Sequence, residues 1–404
     1  MNDADGSVLL TSAQAGPIVA SSVSHAGGSL RSWQLDQVDI SPGRSTIATY
    51  RAEVDWPYGR RWELIGVCAR ADGPSGADQS AELFMDGERA VAVWIYPNDP
   101  DLPGLARAAY TQSMAGLCNE HGVFSRRVRA SELELAMVGY RPRRRAVLKA
   151  VCRTTGECVY VKALRPALAE RVALRHKELF EAGVPVAEVL ARTDDHLLFL
   201  AQLPGRPLAH ALFDAAAPCR AEDLIELLES LPASVARLPR RAPWTECLPH
   251  YAGMVAAALP DLRERLDAIC QDVAAGTGGE PPGGEPTHGD FHEGQVHVAD
   301  GRVVGLLDVD TVGPGRLVDD LACLIAHLST IQHMHPVQAE RVHSLLRQWV
   351  PVFDRRVDPV QLRLRAAAVV VTLATGPFRA QEPDWEPETR WMIDSATALL
   401  AQVA

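Results

Sequence analysis

The stretch His288-Gly289-Asp290-Phe291-His292-Glu293-Gly294-Gln295 decides how the chain is read, together with Val296–Ala299, Asp300-Gly301, Val303–Leu307 and Asp308-Val309-Asp310 behind it. Asp-Gly between two apolar runs is a strong hairpin signal, because both turn residues accept positive φ. If Asp300 faces Gly301, the pairing sets Gln295 opposite Leu306 and puts Asp308 two residues further along the same strand. A two-residue offset keeps the same face. Diagonal neighbours on one face lie roughly 7–8 Å apart, and two oxygen-bearing side chains at that spacing can share one hard cation. The spacing alone therefore proposes a Mg2+ site at Gln295 and Asp308.

Asp290 lies five residues before Gln295, in the loop entering the hairpin, where a carboxylate could meet a substrate hydroxyl beside that metal. Phosphoryl transfer is usually arranged so, with one carboxylate orienting the hydroxyl and metal ions bridging the phosphates. Upstream, Val159-Tyr160-Val161-Lys162-Ala163 puts one Lys in an otherwise apolar strand, and a buried ammonium needs a charged partner. The helix that follows offers Glu170 and Glu178, and the spacing does not choose between them.

Outward from these segments the chain reads as several units. Met1 to Leu30 is rich in Ser, Ala and Gly without sustained periodicity and is expected to be a flexible arm, residues 1–30. Residues 31–132 read as an α+β cap, with strands at Ser45–Trp56, Arg61–Ala71 and Ala90–Tyr96 and a helix at Leu105–Cys118. Residues 133–204 read as antiparallel strands interrupted by one helix, Leu168–Ala182. Residues 205–404 are mostly helical, including one long helix from Tyr251 to Ala275 and the hairpin described above.

Across 404 residues, 51 acidic side chains against 40 basic ones leave a net charge of −11, which argues against a broad grip on nucleic acid or anionic lipid. The longest apolar stretch, near Ala366–Ala374, is far shorter than the ~18–20 residues of a membrane span. The expected location is the cytoplasm. Eight scattered cysteines without a Cys-x-x-Cys pair read as reduced thiols, and His333-Met334-His335, lacking further ligands at metal spacing, reads as surface helix.

His288, Gly289, Asp290 and Asp308 resemble, in order and spacing, the His-Gly-Asp-x-x-x-x-Asn loop and following metal-binding Asp of the aminoglycoside phosphotransferase and choline kinase family. Gln295 stands where that family has Asn. The form His-Gly-Asp-x-His-x-Gly-Gln is similar to that of maltokinases and related actinobacterial glucosamine kinases, where the Gln serves as metal ligand and a cap precedes the kinase core. The resemblance implies an α+β, protein-kinase-like bilobal fold, with an antiparallel-sheet N-lobe, a mostly helical C-lobe and an N-terminal cap. It also implies ATP and Mg2+ as cofactors, Asp290 as catalytic carboxylate, and Lys162 as the phosphate-gripping Lys.

Further positions follow from the same resemblance. Asp310 either holds a second Mg2+ or orients the metal ligands; Leu200 to Gly205, with Leu200 and Leu203, crosses between lobes and supplies backbone groups to adenine. Arg144, in the turn Arg141–Arg145 that replaces a glycine-rich loop, either contacts phosphates or is solvated. His288 supports the loop backbone, Asp320 stabilises a helix start, and His292 faces either the site or the groups behind it. Arg379, Gln381 and Trp385, between the last two helices, either line the acceptor pocket or merely connect. The expected function is an ATP-dependent kinase of a sugar or amino-sugar hydroxyl, acting as monomer or homodimer. An antibiotic-modifying phosphotransferase is the nearest rival, and a nucleotide-binding module without turnover a more distant one.

Overall fold

The computed structural model describes residues 3–87, 89–331 and 336–403, so the His333-Met334-His335 reading lies outside the described residues. The chain divides into two compact units. The first comprises Met1–Ala173, Val189–Gln202 and Arg379–Glu382, and carries two five-stranded antiparallel sheets.

The first sheet contains β1 (Ser29–Ser41), β2 (Ser45–Trp56), β3 (Gly59–Arg70), β4 (Glu82–Asp86) and β5 (Arg89–Ile95), in the order β1-β2-β3-β5-β4. The segment expected to be a flexible arm forms two helices ahead of it, α1 (Ser7–Thr11) and α2 (Gly16–His25). Leu10, Ala15, Val19 and Val23 are buried in one cluster with Tyr50, Val54 and Val67, and the Tyr50 hydroxyl donates to the Leu10 carbonyl at 2.6 Å. The small residues between those apolar positions conceal the helical period in the sequence, but four anchors recurring every four or five residues suffice to bury one face.

Two short helices, α3 (Leu105–Ala108) and α4 (Thr111–Glu120), lead to the second sheet. It contains β6 (Leu133–Arg141), β7 (Arg145–Cys152), β8 (Cys158–Leu164), β9 (Val189–Arg192) and β10 (Leu197–Ala201), ordered β6-β7-β8-β10-β9. Strand β7 alternates strictly, with Ala146, Leu148, Ala150 and Cys152 buried against Met114 and Leu117 of α4. Lys162 sits in β8 between Val147 and Leu198 of the neighbouring strands and is only 8% exposed. The helix α5 (Pro166–Glu181) follows, its residues up to Ala173 counted with this unit and the rest with the other.

The second unit contains α6 (Leu208–Ala211), α7 (Ala221–Glu229), α8 (Trp244–Ala258), α9 (Arg263–Thr277), α10 (Leu317–Ile331), α11 (Pro336–Phe353), α12 (Pro359–Leu373), α13 (Gly376–Arg379, its last residue grouped with the first unit) and α14 (Trp385–Leu400). The single helix expected over Tyr251–Ala275 is two, because Pro260 lacks the N–H that would continue it and its ring disfavours helical backbone at Leu259. Helices α10 and α12 carry the core: Leu321–Ala326 and Ala366–Val371 are buried throughout. Short strands β11 (Arg206–Pro207), β13 (Val296–Ala299) and β14 (Arg302–Leu306) form one sheet; β12 (Glu285–Thr287) pairs with β15 (Gly313–Gly315). One unit built on antiparallel sheets and one mostly helical unit make an α+β fold.

The hairpin corrects the expected register. Asp300 and Gly301 turn the chain at φ +50° and +72°, and Ala299 pairs with Arg302 as expected. A bulge then intervenes, so His297 faces Gly305 and Val296 faces Leu306, and the Leu307 N–H donates to the Gln295 carbonyl at 2.7 Å. A Cβ on Gly305 would lie 3.0 Å from Leu203 Cδ1 and 3.1 Å from His297 Cβ, so this glycine admits the close approach that a bulge brings. Asp308 leaves the strand in the left-handed region, φ 51° and ψ 47°. Strand parity therefore does not direct its carboxylate, and the shared-face derivation of the Gln295–Asp308 pair does not survive.

The arginine turn between β6 and β7 is built inward. Arg143, at φ +62° and 4% exposed, reaches Asp78 and Asp101 at 2.6 Å each, while its N–H donates to Asp99 at 2.7 Å. Tyr140 donates to the same Asp99 at 2.7 Å and accepts from Trp94 Nε1 at 2.9 Å. Burial works to raise the Asp78 carboxyl, but the Ser75 hydroxyl and N–H and the Arg143 charge outweigh it and leave the pKa lowered. A carboxyl lowered in the folded state contributes stability above its unfolded pKa of about 4 and loses it as the pH falls further. Arg143→Ala is expected to cost about 3–5 kcal/mol, since it leaves Asp78 buried without its cation. Asp78→Asn should flatten part of the acid-side fall in stability; thermal melts between neutral pH and acid check both.

Candidate active site

The backbone groups of His288 and Gly289, which lead to Asp290, are accounted for one by one. Both oxygens of Asp320 are acceptors, from the His288 N–H at 2.7 Å and the Gly289 N–H at 2.8 Å. The His288 carbonyl accepts from the Thr311 hydroxyl at 2.9 Å, and the Gly289 carbonyl from Arg241 Nη1 at 3.1 Å. Gly289 stands at φ +80°, and a Cβ there would lie 2.8 Å from the Thr311 carbonyl oxygen, so only glycine fits. Asp320 lies in α10, yet it serves another segment rather than its own helix start, which corrects the expectation drawn from the sequence.

Leu307 joins the chemistry-bearing residues. The buried His288 ring donates from Nε2 to the Leu307 carbonyl at 2.9 Å, and the Leu307 N–H donates to the Gln295 carbonyl. Asp308 follows directly, and Asp290 follows His288 by two residues. Burial depresses the His288 pKa, so the imidazole stays neutral with Nε2 as its donor nitrogen. Asp290, Gln295, Asp308 and Asp310 are all half-buried. The Asp310 carbonyl accepts from Arg175 Nη1 at 3.0 Å, which fixes the backbone beyond Asp308.

His292 turns back over its own loop. Its Nδ1 accepts from the Gly294 N–H at 3.1 Å, and a Cβ on Gly294 would press to 2.8 Å from the ring. A neutral imidazole that accepts at Nδ1 carries its proton on Nε2. The Gln295 amide nitrogen is placed 3.0 Å from that Nε2; two N–H donors cannot face each other, so the amide is assigned the reverse orientation, with its oxygen toward the ring and a second lone pair left over. Beside it, Glu293 is 8% exposed, and burial pushes its carboxyl up to about 7.

The remaining expected residues are distributed between the two units. Lys162, Glu170, Leu200, Arg144, Arg379 and Gln381 belong to the first. There Glu170 is exposed, and Arg144 pairs with Asp39 at 2.8 Å in a small cleft that Arg379 also lines. Glu178, Leu203 and Trp385 belong to the second. Glu178 is half-buried, Leu203 is buried, and Trp385 packs edge-on against Phe378 with centroids 5.0 Å apart.

Sequence reading missed Arg241, Thr311 and Arg175. All three act on backbone carbonyls, and a donor to a carbonyl leaves no signature in residue spacing. Asp320→Asn would set an NH2 group against one of the two N–H donors. It is expected to cost about 1–3 kcal/mol of loop stability and to lower kcat while changing KM for nucleotide little. Steady-state kinetics beside a thermal melt reads both effects.

Residues 140–357, just over half of the chain, match the model of the phosphotransferase enzyme family. No curated protein sequence matches the chain. Among solved structures, a thermostable mutant of aminoglycoside phosphotransferase APH(4)-Ia is 12% identical, with a TM-score of 0.47, over 67% of this chain and 95% of that one. Choline kinase from Cryptosporidium parvum Iowa II is 11% identical at 0.48, over 72% and 96%. Macrolide 2'-phosphotransferase MphH from Brachybacterium faecium is 19% identical at 0.41, over 72% and 98%. These are likenesses only, whereas the family model spans the catalytic loop and the strand that bears Lys162, and the chain belongs to the phosphotransferase enzyme family.

Proposed function

We propose that the chain is an ATP-dependent kinase that passes the γ-phosphate to a hydroxyl of a sugar or amino sugar, within the maltokinase and glucosamine kinase branch of its family. The observation that carries the reading is the clamped His288–Asp290 loop, in which Asp320, Thr311 and Arg241 hold every backbone polar group leading to Asp290. A carboxylate held in this way suits a reaction that depends on positioning more than on covalent chemistry.

Asp290 accepts and orients the acceptor hydroxyl and takes its proton. Gln295 and Asp308 would hold Mg2+, with Asp310 in support. The donor set fits: amide and carboxylate oxygens suit a hard cation, and the Gln295 oxygen keeps a lone pair beyond its bond from His292. When bound, the metal offsets phosphate charge. Lys162 grips the α- and β-phosphates. Of its two possible partners, Glu178 is half-buried and Glu170 exposed, and a shielded ammonium is better matched by the shielded carboxylate. Leu200 and Leu203 belong to the Leu200–Gly205 segment, which supplies backbone groups to adenine. Arg379, Gln381 and Trp385 remain the proposed acceptor contacts, with His292 acting from behind Gln295.

Asp290→Asn should lower kcat by about 10² or more while nucleotide binding persists. Lys162→Ala should raise KM for ATP, and Glu178→Ala should follow it while Glu170→Ala stays near wild type. ADP release measured against glucosamine, maltose, glucose and several aminoglycosides tests the acceptor class. Turnover confined to the aminoglycosides would transfer the enzyme to antibiotic modification, and none with any acceptor would remove the kinase reading.

A further inference from the structure

In and beside the proposed catalytic loop, Glu293 and His327 take no part in the reaction above, and His292 enters it only from behind Gln295. Glu293 and His292 lie in that loop, and His327 lies on α10, with one ligand atom from each falling within 4.8 Å of the others. Glu293 is 8% exposed, and its Oε2 has no hydrogen-bond partner. That oxygen lies 3.9 Å from His292 Nδ1 and 3.9 Å from His327 Nδ1. Hydrogen bonds between a carboxyl and an imidazole span roughly 2.7–3.2 Å, so neither ring satisfies it. Two coordination bonds of about 2.0–2.2 Å meeting at one ion span up to about 4 Å, which is the separation found on both sides.

We propose that His292, Glu293 and His327 form a binding site for a divalent transition-metal ion of the zinc class, distinct from the Mg2+ that accompanies ATP. Two imidazoles and one carboxylate favour such a borderline cation over magnesium, which prefers oxygen ligands throughout. Among the described residues no Lys or Arg pairs with the Glu293 carboxylate, and a cation between the two rings supplies the compensating charge. Burial and the facing His292 keep the His327 ring neutral, the form that binds metal. Both rings are about one-fifth exposed, so an ion has a route in.

The rings are stacked 4.1 Å apart and inclined by 6°, so an ion in the plane of one lies outside the plane of the other. Coordination therefore turns the His327 ring, which makes no hydrogen bond among the described residues. It also displaces the Gly294 N–H from His292 Nδ1. His292 bound at Nδ1 still donates from Nε2 to Gln295, the usual arrangement behind a metal-bound imidazole. The ion would tie the catalytic loop to α10 at a second point beyond Asp320.

The test uses the full chain, stripped with EDTA and returned to buffer with excess Mg2+, then titrated with Zn2+ by calorimetry. One equivalent is expected to bind, with a raised melting temperature. Glu293→Gln and His327→Gln should each weaken Zn2+ binding roughly tenfold or more. A chain carrying His333→Ala and His335→Ala should bind as wild type does. Glu293→Gln removes an uncompensated buried charge and should fold; the visible spectrum of Co2+ added to the unmutated chain checks imidazole ligation without any substitution. No stoichiometric Zn2+ under excess Mg2+, affinity unchanged by both Gln substitutions, or binding lost only with His333 and His335 would each overturn the assignment. None of these readouts requires turnover, so the site stands or falls apart from the kinase reading.

Discussion

One carboxylate with two acceptor oxygens, Asp320, governs the placement of the His288–Asp290 loop. Its oxygens take the N–H groups of His288 and Gly289, two consecutive donors that no strand or helix serves. The helix that carries Asp320 is buried along Leu321–Ala326, so the loop inherits the rigidity of the core. Burial pushes this carboxyl up to about 7, against the pull of the two backbone donors. Such a group is costly to bury unless its partners are fixed, and fixing them is what aims Asp290.

Leu307 extends the same logic to Gln295 and Asp308, the proposed metal ligands. Its carbonyl accepts a hydrogen bond from the His288 ring and its N–H donates to the Gln295 carbonyl, so the two chain segments bearing Asp290 and Asp308 are coupled through one apolar residue. The left-handed backbone at Asp308 follows where the strand ends, and Arg175 secures the turn beyond it. The order of residues along the chain thus becomes an order in space without any side chain of Leu307 taking part.

Much of this was legible in the sequence. The Asp300-Gly301 turn announced the hairpin, and His288, Gly289, Asp290 and Asp308 announced the family. The register was not legible, because nothing in the residue spacing marks the bulge, and the crowding of Gly305 by Leu203, remote in sequence, shows only in the fold. Pattern reading also assigned the arginine turn to phosphate or solvent, whereas Arg143 is buried among Asp78, Asp99 and Asp101. A run of like charges reads as a surface until its acids are found, and these lie some forty or more residues upstream. The helices ahead of β1 escaped notice for a related reason: their four apolar anchors acquire meaning only against the β2–β3 face they cover.

The loop also shows how one short segment separates two carboxylates by environment. Asp290 and Glu293 are three residues apart, but Asp290 is half-buried and Glu293 is almost wholly so. A group that must accept a hydroxyl proton from a substrate needs an open side, which burial denies to Glu293. Conversely, a group shielded from water and facing two neutral imidazoles gains most from a cation that remains in place. The backbone decides which is which: the left-handed Gly289 turns the chain into the half-buried Asp290, while the Glu293 carbonyl is tied to the Ala209 N–H at 3.0 Å. Interchanging the two side chains would put the proposed catalytic carboxylate at the more deeply buried position, so on that reading the residue types follow from the path of the chain.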